Sequence, residues 1–274
     1  MRSPRARGTP VDEARLMGWV TRFAGYRRNI TTPDILNWLS QFDEPHRDLA
    51  ARVLDAVRFI SQEHISTAYR TVFSDLPGWF PSESDRSGTW RFVALSSSAG
   101  ESGDSMLHIF RRANDLSSTR NNRMFIYKSD LLRESITKDD TVVFVDDFAG
   151  TGNQACTSWE ASIRELLPGS PTTYLVLVAA SLQAKKRIQS ETDFRVFSYF
   201  TLSDRDNIFS PACIHFTRRE KATLLEYNGT ADGREPRGYG GCGLLVVFPH
   251  SCPNDSIPIL HKHHRRWHGL FRGA

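Results

Sequence analysis

The sequence predicts an α/β protein, a parallel sheet flanked by helices, with a helical N-terminal segment. Three observations carry this. From Trp90 onward, short apolar runs alternate with helical patterns, the order of βαβ units. Two of these runs, residues 141–145 and 172–179, are nearly continuous apolar stretches, as in strands buried on both faces. Before residue 80, charged and apolar residues mix at helical spacing instead.

Taken in order, residues 11–23 read as an amphipathic helix. Thr32-Pro33-Asp34 marks a helix start, with Thr32 as N-cap and Pro33 in the first helical position, leading into Ile35, Leu36, Trp38 and Leu39. Leu49, Val53, Val57, Ile60, Ala68 and Val72 recur at mostly three- and four-residue spacing and predict one long helix. Trp19, Phe23, Trp38 and Phe42 are expected to fill the core of this helical segment. Residues 76–88, LPGWFPSESDRSG, punctuate the chain and predict a boundary, dividing it into 1–80 and 81–274. Then follow a strand at 90–95, a small-residue loop at 96–105, a helix through Met106, Leu107, Ile109 and Phe110, and strands at 124–127 and 141–145. A helix over 154–167 stops at Pro168-Gly169. Beyond it lie a strand at 172–179, a helix at 184–190, a strand at 194–200, a helix at 218–228 and a glycine-led strand at 238–248.

Composition excludes several classes. No apolar run among the 274 residues approaches the roughly 18 needed for a membrane span. The opening MRSPRARGTP lacks the apolar region of a signal peptide, and the four cysteines contain no CxxC pair, so a reducing cytoplasm is the expected compartment. The net charge of +4 is unevenly placed: the three arginines of residues 1–8 and the four Lys/Arg of residues 261–274 leave the body at −3. Nucleic-acid contact is therefore confined, as an expectation, to the two ends. His250, Cys252, His261, His263, His264 and His268 crowd the C-terminus without the close ligand pairs of a zinc site, and read as a polar tail. Cys156 reads as a small buried helix residue, and Phe209 as packing rather than a base-stacking platform. No GxSxG or GxxxxGK[ST] string is present, which argues against a hydrolase elbow and a P-loop.

Residues 142–154, VVFVDDFAGTGNQ, carry the chemistry. An apolar strand delivers Asp146 and Asp147 to its carboxyl end, where open α/β sheets bind ligands. Gly150, Thr151 and Gly152 then lead into a helix whose first N–H groups and positive dipole end suit a phosphate. Two carboxylates beside a phosphate need other company, and sugar hydroxyls or Mg²⁺ supply it. The residues thus point to a phosphorylated ribose.

This segment resembles the phosphoribosyl pyrophosphate (PRPP) signature of the type I phosphoribosyltransferases, differing from its commonest residues at Phe148, Ala149, Gly150 and Gln154. The resemblance implies that Asp146 and Asp147 take the ribose hydroxyls, with Mg²⁺ as cofactor. It implies that Phe148, Ala149, Gly150, Thr151, Gly152, Asn153 and Gln154 form the phosphate loop. A pyrophosphate loop follows the first core strand in that family, which here means Ser97, Ser98, Ala99 and Gly100. Cations often approach the pyrophosphate, and Arg120, Arg123 and Lys128 are the candidates. Residues 237–260, RGYGGCGLLVVFPHSCPNDSIPIL, are similar to the C-terminal portion of a divergent phosphoribosyltransferase-like group, PRTase-CE, associated with bacterial conflict (anti-phage) gene systems. The implied fold is type I phosphoribosyltransferase-like. The implied function is pentosyl transfer from PRPP to a nitrogenous acceptor, possible protein partners being other members of a conflict system. The alternative is a domain that binds a phosphorylated ribose or nucleotide without turnover. DDFAGTGN also resembles the S-adenosylmethionine loop of amino-methyltransferases, but the chain lacks the Pro-Pro of their catalytic segment.

Overall fold

The structure, a computed structural model, describes residues 11–96 and 103–273. The chain opens with α1 (Glu13–Arg22), α2 (Thr32–Ser40), α3 (Arg47–Ala56), β1 (Arg58–Phe59) and α4 (Gln62–Ser74). The middle holds β2 (Trp90–Ala94), α5 (Gly103–Ala113), β3 (Thr141–Ala149), α6 (Asn153–Ser158), α7 (Arg164–Leu166), β4 (Thr172–Ser181), α8 (Leu182–Glu191) and β5 (Arg195–Leu202). The remainder holds α9 (Arg218–Ala231), β6 (Val246–Val247), α10 (Pro258–His261), β7 (His263–His264) and β8 (Trp267–His268). These elements form two compact units, residues 63–203 and residues 1–62 with 204–274. That division differs from the expected cut at residue 80: α4 goes with the sheet, and the C-terminal segment goes with the N-terminal helices.

In the unit of residues 63–203, four strands pair in the order β2-β3-β4-β5, all parallel. Phe92 and Val143 are register partners, so they share one face; there α4 and α5 bring Phe73 and Phe110 against Phe92. Val93 and Phe144 share the opposite face, packed with Trp159, Ile163, Ile188 and Phe194. Both faces are covered, which explains the continuous apolar strands. Among the described residues the sheet is all parallel, without the antiparallel final hairpin that the methyltransferase alternative requires.

The strand expected at 124–127 is reduced to a single parallel bridge, Phe92 to Phe125, between two 3₁₀ turns. Its position is informative. It lies on the edge of β2 away from β3, so the chain leaves β2 in one direction while β3 connects to β4 in the other. Right-handed crossovers then place α5 and α6 on opposite faces, as observed. The carboxyl ends of β2 and β3 flank a topological switch point.

The other unit corrects several expectations. The helix start shifts by one residue: Thr31 is the N-cap, in a reciprocal capping box with Asp34. The predicted long helix is broken after Ala56, because Arg58 and Ile60 donate their N–H groups to Leu245 and Val247 in a parallel pairing with β6. Only Val246–Val247 of the glycine-led run is strand; residues 239–241 form a 3₁₀ turn. The C-terminus is no solvated tail. Trp267, Leu270 and Phe271 are buried with Trp19, Phe23 and Trp38. The Phe271 ring stands edge-on to Phe23 at 5.0 Å and to Tyr26 at 5.3 Å.

Candidate functional site

β3 positions the acid pair. Ala94 and Val145 are the last paired residues of β2 and β3, and the Leu95 N–H still reaches the Val145 carbonyl at 3.1 Å. β3 then continues for four residues paired only with β4, through Ala149 opposite Ala180. Asp146 and Asp147 therefore stand where β2 has ended and β3 has not, on the β3 side of the switch point. Strand alternation sends their side chains to opposite faces. Asp146 is 2% exposed and its Oδ1 accepts the Asp147 N–H at 3.0 Å, whereas Asp147 is half-buried.

The pair is braced by a residue that pattern reading passes over. Tyr69 of α4 is completely buried and donates its hydroxyl to the Asp146 carbonyl at 2.9 Å. Burial first, and then the charges of Asp147 and Asp146, push its phenol well above the ordinary range, so it stays a donor. In sequence Tyr69 is one more apolar position on a helix, and nothing local ties it to a strand residue 77 positions away.

The glycine loop that follows β3 is held from below by α8. Gly152 caps α6 with φ of 76°, and a Cβ there would lie 2.9 Å from Ile188 Cγ1 and 3.2 Å from the Ala184 carbonyl. Glycine is required both by the left-handed backbone and by this approach. Ser181 donates its hydroxyl to the Gly150 carbonyl at 2.6 Å while accepting the Ala184 N–H as N-cap of α8. Thr151 Oγ1 accepts the Asn153 N–H at 3.3 Å, and Arg187 reaches Asn153 Oδ1 at 3.4 Å. Beyond the loop the helical run continues through a π-turn at residues 159–163 into α7. Gly150 and Gly152 are buried, Phe148, Ala149, Thr151 and Asn153 half-buried, and Gln154 exposed.

The expected cations separate. Lys128 donates its Nζ to the Leu95 carbonyl at 3.2 Å, placing an ammonium at the carboxyl end of β2, across the switch point from the acids. Arg123 is not brought there. It pairs with Glu83 beside Thr89 and Trp90, at the amino end of β2, and Arg120 lines the same region. Ser97, Ser98, Ala99 and Gly100 lie outside the described residues.

The other sequence candidates take structural places. Cys156 is buried in α6, and Phe209 packs on the core of its own unit with Arg237 over its ring. His261, His263 and His264 each engage a backbone carbonyl, of Ser256, Phe271 and Ala231 respectively. Among the described residues, no group of three or more His, Cys, Asp or Glu is arranged to hold a metal by itself. Among the same residues, no helix is long and apolar enough to cross a membrane.

The parallel sheet, the switch point and the braced acid-and-glycine loop define a phosphoribosyltransferase-like protein. Residues 35–272 match the model of the PRTase-CE family, and the chain belongs to that family. No curated protein matches it in sequence.

Proposed function

We propose that residues 141–154, with Lys128 opposite, bind PRPP, and that the protein transfers ribosyl-5-phosphate to a nitrogenous acceptor. The carrying observation is the acid pair at the switch point, continuous with a glycine loop pinned by Ser181 and Ile188. Hydroxyls of a ribose donate to carboxylates, and the first N–H groups of the α6 run suit the 5′-phosphate. In the transfer, the bond from C1′ to the pyrophosphate oxygen breaks, a bond from C1′ to the acceptor nitrogen forms, and the acceptor's proton leaves to solvent. Positive charge builds at C1′, and a carboxylate near the ribose stabilises it; the Lys128 ammonium faces the departing pyrophosphate.

The donor set fits Mg²⁺, a hard cation that takes one or two carboxylates and completes its shell with water and substrate phosphates. Asp147, and Asp146 if it turns outward, would hold it on the protein side, and it would supply charge neutralisation for the pyrophosphate. Tyr69 and Ser181 act as positioning residues for the acids and the loop.

Titration calorimetry with PRPP and Mg²⁺, and pyrophosphate release over a panel of bases and nucleotides, test the proposal. Binding and release are expected in the native protein, and Asp147→Asn is expected to weaken PRPP at least about tenfold, the loss of a charge-assisted hydrogen bond. Absence of PRPP binding sinks the reading. Binding without release over the panel turns it to a nucleotide-sensing domain. A role in anti-phage defence is a further part of the proposal, tested by phage plating on cells carrying the native gene or the Asp147→Asn variant within its native neighbourhood.

A further inference from the structure

At the opposite end of the same sheet, the amino end of β2 borders a cavity of about 140 Å³. By the same measure one water needs only about 10–15 Å³, so one or two phosphate groups fit. Its walls include Arg86, Arg91, Arg120 and Arg123, with Glu83 as the one carboxylate among the lining residues. Arg91 is paired with Glu134 at 2.6 Å, and Arg123 with Glu83. Arg86 and Arg120 are left without a carboxylate in ion-pair range among the described residues.

Arg86 is preorganised. Its guanidinium stacks over Trp79 at 3.8 Å, donates Nε to the Phe80 carbonyl at 2.5 Å and donates Nη2 to the Pro81 carbonyl at 2.8 Å. Burial, together with the like charge of Arg120, holds it below the usual arginine range, although Glu83 opposes this. Two guanidinium groups close enough to feel each other are costly unless an anion lies between them. Trp90 forms another wall. It is 3% exposed, its ring packed against Trp79 and Phe92. Planar arginine forks and a polar mouth form a recognition set for phosphate oxygens.

We propose that this cavity is a second anion site, separate from the acid-and-glycine loop, which binds a diphosphate group, either free pyrophosphate or the phosphate end of a nucleotide. It lies at the amino end of β2, so it takes no part in chemistry at the carboxyl ends. The proposal does not depend on the function assigned to the other site.

Calorimetry with inorganic phosphate, pyrophosphate and ATP on the full chain tests it, using Asp147→Asn to weaken the first site. Pyrophosphate or ATP is expected to bind Asp147→Asn protein, with affinity falling as salt rises. Arg120 is exposed and carries no structural bond, so Arg120→Glu is expected to fold normally and to lose at least about tenfold in affinity. Arg120→Lys should restore part of it. Tighter binding of ATP than of pyrophosphate identifies a nucleotide, and equal binding identifies the free diphosphate. If no anion binds the Asp147→Asn protein, or if Arg120→Glu binds as tightly as its parent, the site does not exist.

Discussion

Asp146 and Asp147 are adjacent in the chain, yet the pleat of β3 gives them different surroundings. Asp146 is buried and bonds its neighbour's N–H, while Asp147 keeps access to solvent. Substitution should separate them: Asp147→Asn is expected to lower PRPP affinity with little change in melting temperature, whereas Asp146→Ala should lower both. Thermal unfolding beside calorimetry reads the difference. Tyr69→Phe removes one buried hydrogen bond, worth about 1 kcal/mol, and should raise the KM for PRPP more than it lowers kcat if the bond positions the acids. Equal KM values in the two proteins would leave Tyr69 a packing residue only. Gly152→Ala meets both a left-handed backbone and the Ile188 side chain, and should destabilise by about 2 kcal/mol in urea unfolding. The acids and glycines were legible in the sequence because they are contiguous and chemically distinctive. Tyr69 and Ser181 were not, since each acts through one hydrogen bond to a carbonyl distant in sequence.

Elements set the response to acid. Burial, opposed by its bond to the Ser256 carbonyl, pushes His261 down to about 4, against 6.5 for an ordinary imidazole. Between those values the unfolded chain takes up a proton that the folded chain refuses, so stability is full above pH 6.5 and declines toward pH 4. The loss is on the order of 2–3 kcal/mol, and His261→Gln should flatten the melting-temperature profile in that window. Asp140 behaves differently. Hydrogen bonds from the N–H and hydroxyl groups of Thr89 and Thr137 outweigh its burial and hold its carboxyl down to about 2. Its contribution is present above about pH 4 and is lost as pH falls toward 2, on the order of 2 kcal/mol, and Asp140→Asn should remove that lower step. Helices with a clear apolar face and strands buried on both sides were readable from pattern alone. β1 was not, because the helical periodicity runs straight through it and only the pairing with β6 interrupts the helix. The apolar pattern at 124–127 exceeds the strand that forms, since its residues make one bridge and the 3₁₀ turns on either side consume the rest.

At the scale of the whole molecule, the unit that carries the acid pair is one continuous stretch, residues 63–203, whereas the other unit is assembled from both ends of the chain. The continuous unit has its own sheet, covered on both faces. Expressed alone, residues 63–203 are expected to unfold cooperatively and to keep the PRPP affinity of the full chain, by urea titration and calorimetry. A fragment that stays unfolded would show that this unit needs the rest of the chain. The sequence by itself determined the α/β class, the strand that carries Asp146 and Asp147, and the glycine loop after it, because periodicity and turn chemistry are local properties. Only the tertiary structure decided the reversal of strand order beside β2, the separation of Lys128 from Arg123, the burial of the C-terminal aromatics and the arginine cavity at the far end of the sheet. Each of these depends on which distant segments pair and pack, and the free energy of such pairing is invisible to any window along the chain.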